Sequence, residues 1–150
     1  MKILLSGPSA VPYAREYISN AAKTLREKGN QVFVPHEGGW EAPPAPFQEN
    51  SFQFDATCEA VVDADMLIAV LDGFVVDDDV AVQIGMFFAF NQSEGKNKPM
   101  LGVLHDTRIA GWSWSGEDRA LNPQVRGCFQ RYGQVYPNFN TVFEVLAQRK

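Results

Sequence analysis

Apolar residues in this chain collect in short unbroken runs, and between the runs they recur at helical spacing. Lys2-Ile3-Leu4-Leu5 is the first run, closed by Ser6-Gly7-Pro8. Unbroken runs of this length suit strands covered on both faces, as in a parallel sheet. Ala14, Ile18, Ala21, Ala22 and Leu25 then mark one helix face, with Pro12 suited to the first turn and Gly29 to the stop. Residues 31–34 form a second strand pattern, ended by Pro35. Four prolines and two glycines crowd residues 35–50, which predicts a long loop. A helical pattern at 51–64 leads into 66–71, the strongest strand signal in the chain. Residues 80–90 read as a nearly wholly apolar helix behind Asp77, Asp78 and Asp79, residue types that cap free N–H groups and complement the helix dipole. A strand at 99–104, a loop rich in Trp, Gly and Ser at 108–121, a short helix at 122–130 and a strand at 134–136 follow. Thr141-Val142-Phe143-Glu144 is a capping-box pattern that predicts the start of a last helix.

Strand–helix alternation repeated five times predicts an α/β fold: one domain over residues 1–150 with a doubly wound, five-stranded parallel sheet, flavodoxin- or Rossmann-like. Ligands in such folds sit beyond the carboxyl ends of the strands. Those ends are 6–11, 35–40, 72–79 and 105–111. The helix at 80–90 carries Val80, Val82, Ile84, Met86, Phe87, Phe88 and Phe90, more than one face can hold. A helix apolar all round must be buried all round, so a homodimer or higher homo-oligomer packed on it is expected.

Composition narrows the function. The chain has 150 residues, with 13 Lys and Arg against 18 Asp and Glu, and a formal charge of −5. A nucleic-acid partner needs clustered positive charge and is not expected. No apolar run approaches the ~20 residues of a membrane helix, and the apolar part of the N-terminus is too short for a secretory signal. Cys58 and Cys128 make neither a disulfide framework nor a zinc cluster, which fits a cytoplasmic protein. Ser6-Gly7-Pro8-Ser9 is neither a dinucleotide fingerprint nor a P-loop, and no cofactor is expected. The three adjacent aspartates cannot easily converge on one ion, and the EF-hand spacing is missing, so no metal site is expected.

The strand ends hold the candidate chemistry. Ser6, Gly7 and Pro8 form either a tight turn or a backbone rim around a sugar or phosphate. Asp72 and Gly73 make a turn, and with the following aspartates they could accept hydrogen bonds from sugar hydroxyls. Gln83 is a lone amide in an apolar helix and carries a burial cost unless hydrogen-bonded, through either a cleft-facing ligand or a structural contact. Gly85 would let a backbone or ligand approach that helix. His36 and His105 follow strands and could act as bases. Trp40, Trp112 and Trp114 could stack on a planar ring or simply pack a loop.

Taken in order, four segments resemble the nucleoside 2-deoxyribosyltransferase family. They are Lys2-Ile3-Leu4-Leu5-Ser6-Gly7-Pro8, the stretch from Ala64-Asp65 to Asp72-Gly73, the stretch from Asp77-Asp78-Asp79 to Gln83-Ile84-Gly85, and Asn122-Pro123-Gln124-Val125-Arg126-Gly127. Lys98-Pro99 opens the strand between the last two. The resemblance implies a flavodoxin-like subunit in a homo-oligomer. It also implies cleavage of the bond between base and deoxyribose, with transfer of the sugar to another base. In that family a Glu in an Asp-x-Gly-x-x-x-Glu-x-Gly motif attacks the anomeric carbon, a second acid assists the departing base, and an Asn from a neighbouring subunit closes the site.

On this resemblance Gln83 occupies the nucleophile position, Asp77 matches the first motif Asp, and Asn122 matches the late Asn. Asp79 stands where the motif has Gly, Leu4 where a Tyr often steadies the nucleophile, and Thr57 where an Asp commonly contacts the base. Gln83 is then either a deliberate exchange made to trap a ligand or the mark of a diverged homologue. Changes at four positions favour divergence. The expected catalytic set is Gln83, Asp77 and Asp79, with Ser6, Gly7, Pro8, Asp72, Gly73, Asn122 and Trp40 binding the substrate. The carboxylate of Asp77 would repel a phosphate, which favours a nucleoside over a nucleotide. The expected activity acts on the N-glycosidic bond of (deoxy)nucleosides. The alternative is a non-catalytic sensor that binds a nucleoside or nucleotide derivative on the same fold.

Overall fold

In the computed structural model, residues 1–38, 49–105 and 121–148 are described. Along the chain run β1 (Lys2–Ser6), α1 (Pro12–Glu27), β2 (Gln31–Phe33), a 3-10 turn (Pro35–Glu37), α2 (Glu49–Asp63), β3 (Met66–Val70), α3 (Asp78–Ser93), β4 (Met100–Val103), α4 (Pro123–Tyr132), β5 (Gly133–Tyr136) and α5 (Phe139–Gln148). The strands form one parallel sheet in the order β2-β1-β3-β4-β5. The expected doubly wound fold is therefore present, in the flavodoxin-like order, with its topological switch between β1 and β3.

The alternation of side chains along each strand fills two cores. Ile3 and Leu5 of β1, with Ile68 and Val70 of β3, pack against Ile18 and Leu25 of α1 and Phe139 and Val142 of α5. Leu4, Leu67 and Ala69 point to the other face and meet Val61, Val80, Ile84, Phe87 and Phe129 from α2, α3 and α4. That is why the strands read as unbroken apolar runs. Gly7 is fixed by close packing: a Cβ there would lie 2.5 Å from Ile18 Cδ1 and 3.2 Å from Val70 Cβ. Gly29, at φ +83°, follows the last turn of α1 as the spacing predicts.

Polar anchors fix the helix ends. Asp77 is the N-cap of α3, its carboxylate accepting from the Asp79 N–H at 3.1 Å. Asn122 caps α4 in the same way, accepting from the Gln124 N–H at 2.8 Å. Lys98 donates from Nζ to the carbonyls of Val62 and Ala64, closing the carboxyl end of α2. The last helix differs from the sequence reading. Asn138 accepts from the Thr141 N–H at 3.0 Å, so α5 begins two residues before Thr141, which is not its cap. The cause is Phe139, which is buried in the α1 face and draws the helix start back.

The apolar helix is not buried all round within one chain. Val80, Ile84 and Phe87 are buried, Met86, Phe88 and Phe90 are half-buried, and Val82 is 54% exposed. Among the described residues, nothing lies within 4 Å of where a Cβ on Gly85 would stand. Trp40, Trp112 and Trp114, and most of the two long loops, lie outside the described residues.

Candidate functional site

At the carboxyl ends of β1 and β2 the chain opens a cleft of about 370 Å³. The turn after β1 contributes Gly7 and Ser9, and Pro35 comes from the turn after β2. One wall is α2, through Phe54 and Thr57. The other is α3, through Asp79, Val82, Gln83 and Met86. The cleft thus sits at the switch point, where diverging connections leave room above the sheet. Helix geometry explains its α3 wall: Asp79 with Gln83, and Val82 with Met86, are each four residues apart and share a face.

Gln83 is 8% exposed, and among the described residues its Oε1 has no hydrogen-bond partner. Thr57, across the cleft on α2, is also buried. Ser6 is fully buried at the end of β1, two residues after Leu4 and so on the same sheet face, and its Oγ likewise lacks a partner among the described residues. A buried acceptor left unmatched costs on the order of 1–3 kcal/mol, which a ligand donor would recover. Asp79 is the one ionisable side chain among the described residues lining the cleft. Burial, then repulsion from Asp77 and Asp78, raises its carboxyl above the ordinary aspartate value.

The other singled-out residues are occupied elsewhere. Asp77 and Asn122 cap helices, as above. The Asp72 carboxylate accepts from the His105 N–H at 2.6 Å and ties the end of β3 to the end of β4. Pro8 and Gly73 do not line the cleft. His105 stacks its ring on Tyr17 at 6.3 Å, towards α1. His36 Nε2 lies 3.2 Å from Ser19 Oγ, and burial lowers its basicity. Sequence reasoning misses Ser9, Phe54, Val82 and Met86, all of which line the cleft. Spacing could have found the helical ones, since Val82 and Met86 flank Asp79 and Gln83, and Phe54 precedes Thr57 by three.

A larger cavity, of about 460 Å³, lies at the amino ends of β1 and β2. Doubly wound sheets do not place ligands there, and its Lys2 ammonium is already 2.6 Å from Asp63. Among the described residues no three His, Cys, Asp or Glu side chains group as a metal would need, and no helix is long and apolar enough to cross a membrane.

The family model for nucleoside 2-deoxyribosyltransferase matches residues 3–138. The chain belongs to the nucleoside 2-deoxyribosyltransferase family. Solved structures share the deoxyribosyltransferase-family fold described above. A conserved protein from Enterococcus faecalis superposes with a TM-score of 0.78 at 21% identity, covering 99% of this chain and 98% of that one. The 2-deoxyribosyltransferase of Bacillus psychrosaccharolyticus gives 0.71 at 21% identity, covering 95% and 90%. The CMP N-glycosidase of Clostridium botulinum gives 0.60 at 15% identity over the whole of both chains. No curated protein matches the sequence. The chain is thus a nucleoside deoxyribosyltransferase-like protein of an enzyme family.

Proposed function

We propose that the cleft between α2 and α3 binds a (deoxy)nucleoside and that the chain acts on its N-glycosidic bond. Family membership supports the reaction class. The observation that carries the location is Gln83: a nine-tenths-buried amide whose acceptor is unmatched among the described residues, facing a cleft at the switch point. We take Gln83 to stand at the family's nucleophile position and Thr57 at its base-contacting position. An amide is a poor nucleophile at carbon, so the covalent route of the family is not available through Gln83. Gly7 at the cleft edge would hold the sugar, with Ser6 buried behind it, Pro8, Asp72 and Gly73 in the surrounding turns, and Trp40 a candidate to stack on the base.

Charge favours a nucleoside over a nucleotide. Asp77, Asp78 and Asp79 stand together at the start of α3, and a phosphate near them would be repelled. We further propose a homodimer or higher homo-oligomer: Val82 is 54% and Phe54 56% exposed at the cleft, where a second copy would cover them and bring its Asn122 near. A role in nucleoside salvage in the cytoplasm fits the free, half-buried Cys58 and Cys128.

The test is incubation of the protein with the common 2′-deoxynucleosides and a free base, followed by chromatography. Released or exchanged base supports the reading. Calorimetric binding without turnover would instead make the chain a nucleoside-binding protein, and absence of both would end the nucleoside reading.

A further inference from the structure

Four carboxylates follow β3 within one loop and one helical turn, yet they are not equivalent. Asp72 is committed to the His105 N–H and Asp77 to the Asp79 N–H. Asp78 does not line the cleft. Asp79 does, and no other ionisable side chain among the described residues shares that lining. It sits one turn before Gln83, about 6 Å along the helix axis, and it is exposed enough to hold a water.

On the reading above, that a nucleoside occupies this cleft, we propose that Asp79 is its general base and that the chain hydrolyses the nucleoside by direct attack of water, with inversion and without a glycosyl-enzyme. The buried amide of Gln83 fills the wall where a nucleophile would have to touch the anomeric carbon. Asp79, a turn away, borders the same cleft, and the water route asks only that its carboxylate hold a water against the anomeric carbon. In the step, a water O–H bond breaks and its proton passes to the Asp79 carboxylate. The water oxygen bonds to the anomeric carbon as the carbon–nitrogen bond breaks. The electron pair leaves with the base, whose nitrogen takes a proton from solvent, and Asp79 returns its proton to solvent. The sum is nucleoside plus water giving free base plus sugar. Gln83 Oε1 is an acceptor that can orient the sugar hydroxyl or the water, and it takes no proton. The raised basicity of Asp79 suits the same task.

The experiment follows early turnovers of a β-2′-deoxynucleoside by proton NMR, with and without an added acceptor base, for the parent and for Asp79→Asn. The expected result is that the parent releases the α-anomer of deoxyribose first and forms no exchanged nucleoside. The rate in Asp79→Asn is expected to fall by on the order of 100-fold or more, while calorimetry shows the deoxynucleoside still bound. The parent rate is expected to rise with pH through the Asp79 ionisation. The β-anomer appearing first, or base exchange by the parent, would overturn the water route while leaving glycosidic activity intact. An unchanged rate in folded Asp79→Asn would overturn the role of Asp79. A parent that binds deoxynucleosides without releasing base, or does not bind them, overturns the activity itself and the base role with it.

Discussion

Replacing Gln83 by Glu changes one NH₂ into an oxygen and leaves the packing volume intact, so its effects are electrostatic and chemical. Asp79 lies one turn earlier on the same face, with about 6 Å between Cβ atoms. At an effective dielectric constant of about 20, two ionised carboxylates at that distance repel by roughly 3 kcal/mol. In the Gln83→Glu protein that repulsion delays the second ionisation of the pair by about 2 pH units. The sign follows directly. A carboxyl whose folded-state value is raised costs nothing below its unfolded value, where both states are protonated. It then destabilises the fold progressively as pH rises through the folded value. Gln83→Glu is therefore expected to be near parent stability at pH 4 and less stable by up to roughly 3 kcal/mol at pH 8. Once ionised, the new carboxylate can attack the anomeric carbon where an amide cannot. Sugar transfer to an added base, which the parent is not expected to perform, is expected to appear at a rate at least about tenfold above the parent's background, about 1.4 kcal/mol in barrier. The assay is base exchange by chromatography from pH 5 to 9 alongside thermal denaturation. A folded Gln83→Glu protein that binds deoxynucleosides but gains no exchange at any pH refutes the assignment of position 83.

Asp79→Asn probes the same face without a substrate. Burial and the neighbouring aspartates raise the Asp79 ionisation, so the parent loses stability as pH rises through it, and the substitution is expected to raise Tm at pH 7 with no difference below the ordinary value of 3.8. A lower Tm for Asp79→Asn at pH 7 would mean that the helix dipole outweighs that strain. Gly7→Ala is expected to cost about 1–3 kcal/mol, because its Cβ meets Ile18 and Val70, with Tm falling roughly 2–4 °C per kcal/mol. Adding Ile18→Val, which removes the Cδ1 atom in the way, is expected to recover part of the loss; strict additivity in denaturant titration would contradict the close-packing explanation. A 5′-monophosphate is expected to bind at least about tenfold more weakly than its nucleoside by calorimetry, about 1.4 kcal/mol, and equal affinity would argue against the aspartate cluster as a filter.

The sheet was legible because its strands are buried on both faces, which makes Leu4 as apolar as Ile3 and Leu5 and leaves no alternation to misread. Helix α1 was legible from Ala14, Ile18, Ala22 and Leu25. The start of α5 was not, since Asn138 and Thr141 are both good caps, and the choice is made by the burial of Phe139 against α1, a long-range contact. The candidate site was half legible. Gly7, Thr57, Asp79 and Gln83 converge on one cleft, but no local rule distinguishes Asp77 from Asp79. The first turns inward on its own helix to cap it, and the second is left facing the cleft. The exposed Val82 was also hidden, because periodicity reports that a residue is apolar and not whether its own chain covers it.

The most direct measurement is a titration of isotope-labelled protein with a 2′-deoxynucleoside, following the side-chain amide resonances of Gln83 and the signals of the free base in the same tube. The Gln83 resonances, assigned by their loss in Gln83→Glu, are expected to shift on binding, and free base is expected to accumulate afterwards. A bound deoxynucleoside that leaves the Gln83 amide unmoved, or base released while every shift falls outside the α2–α3 cleft, would contradict the site.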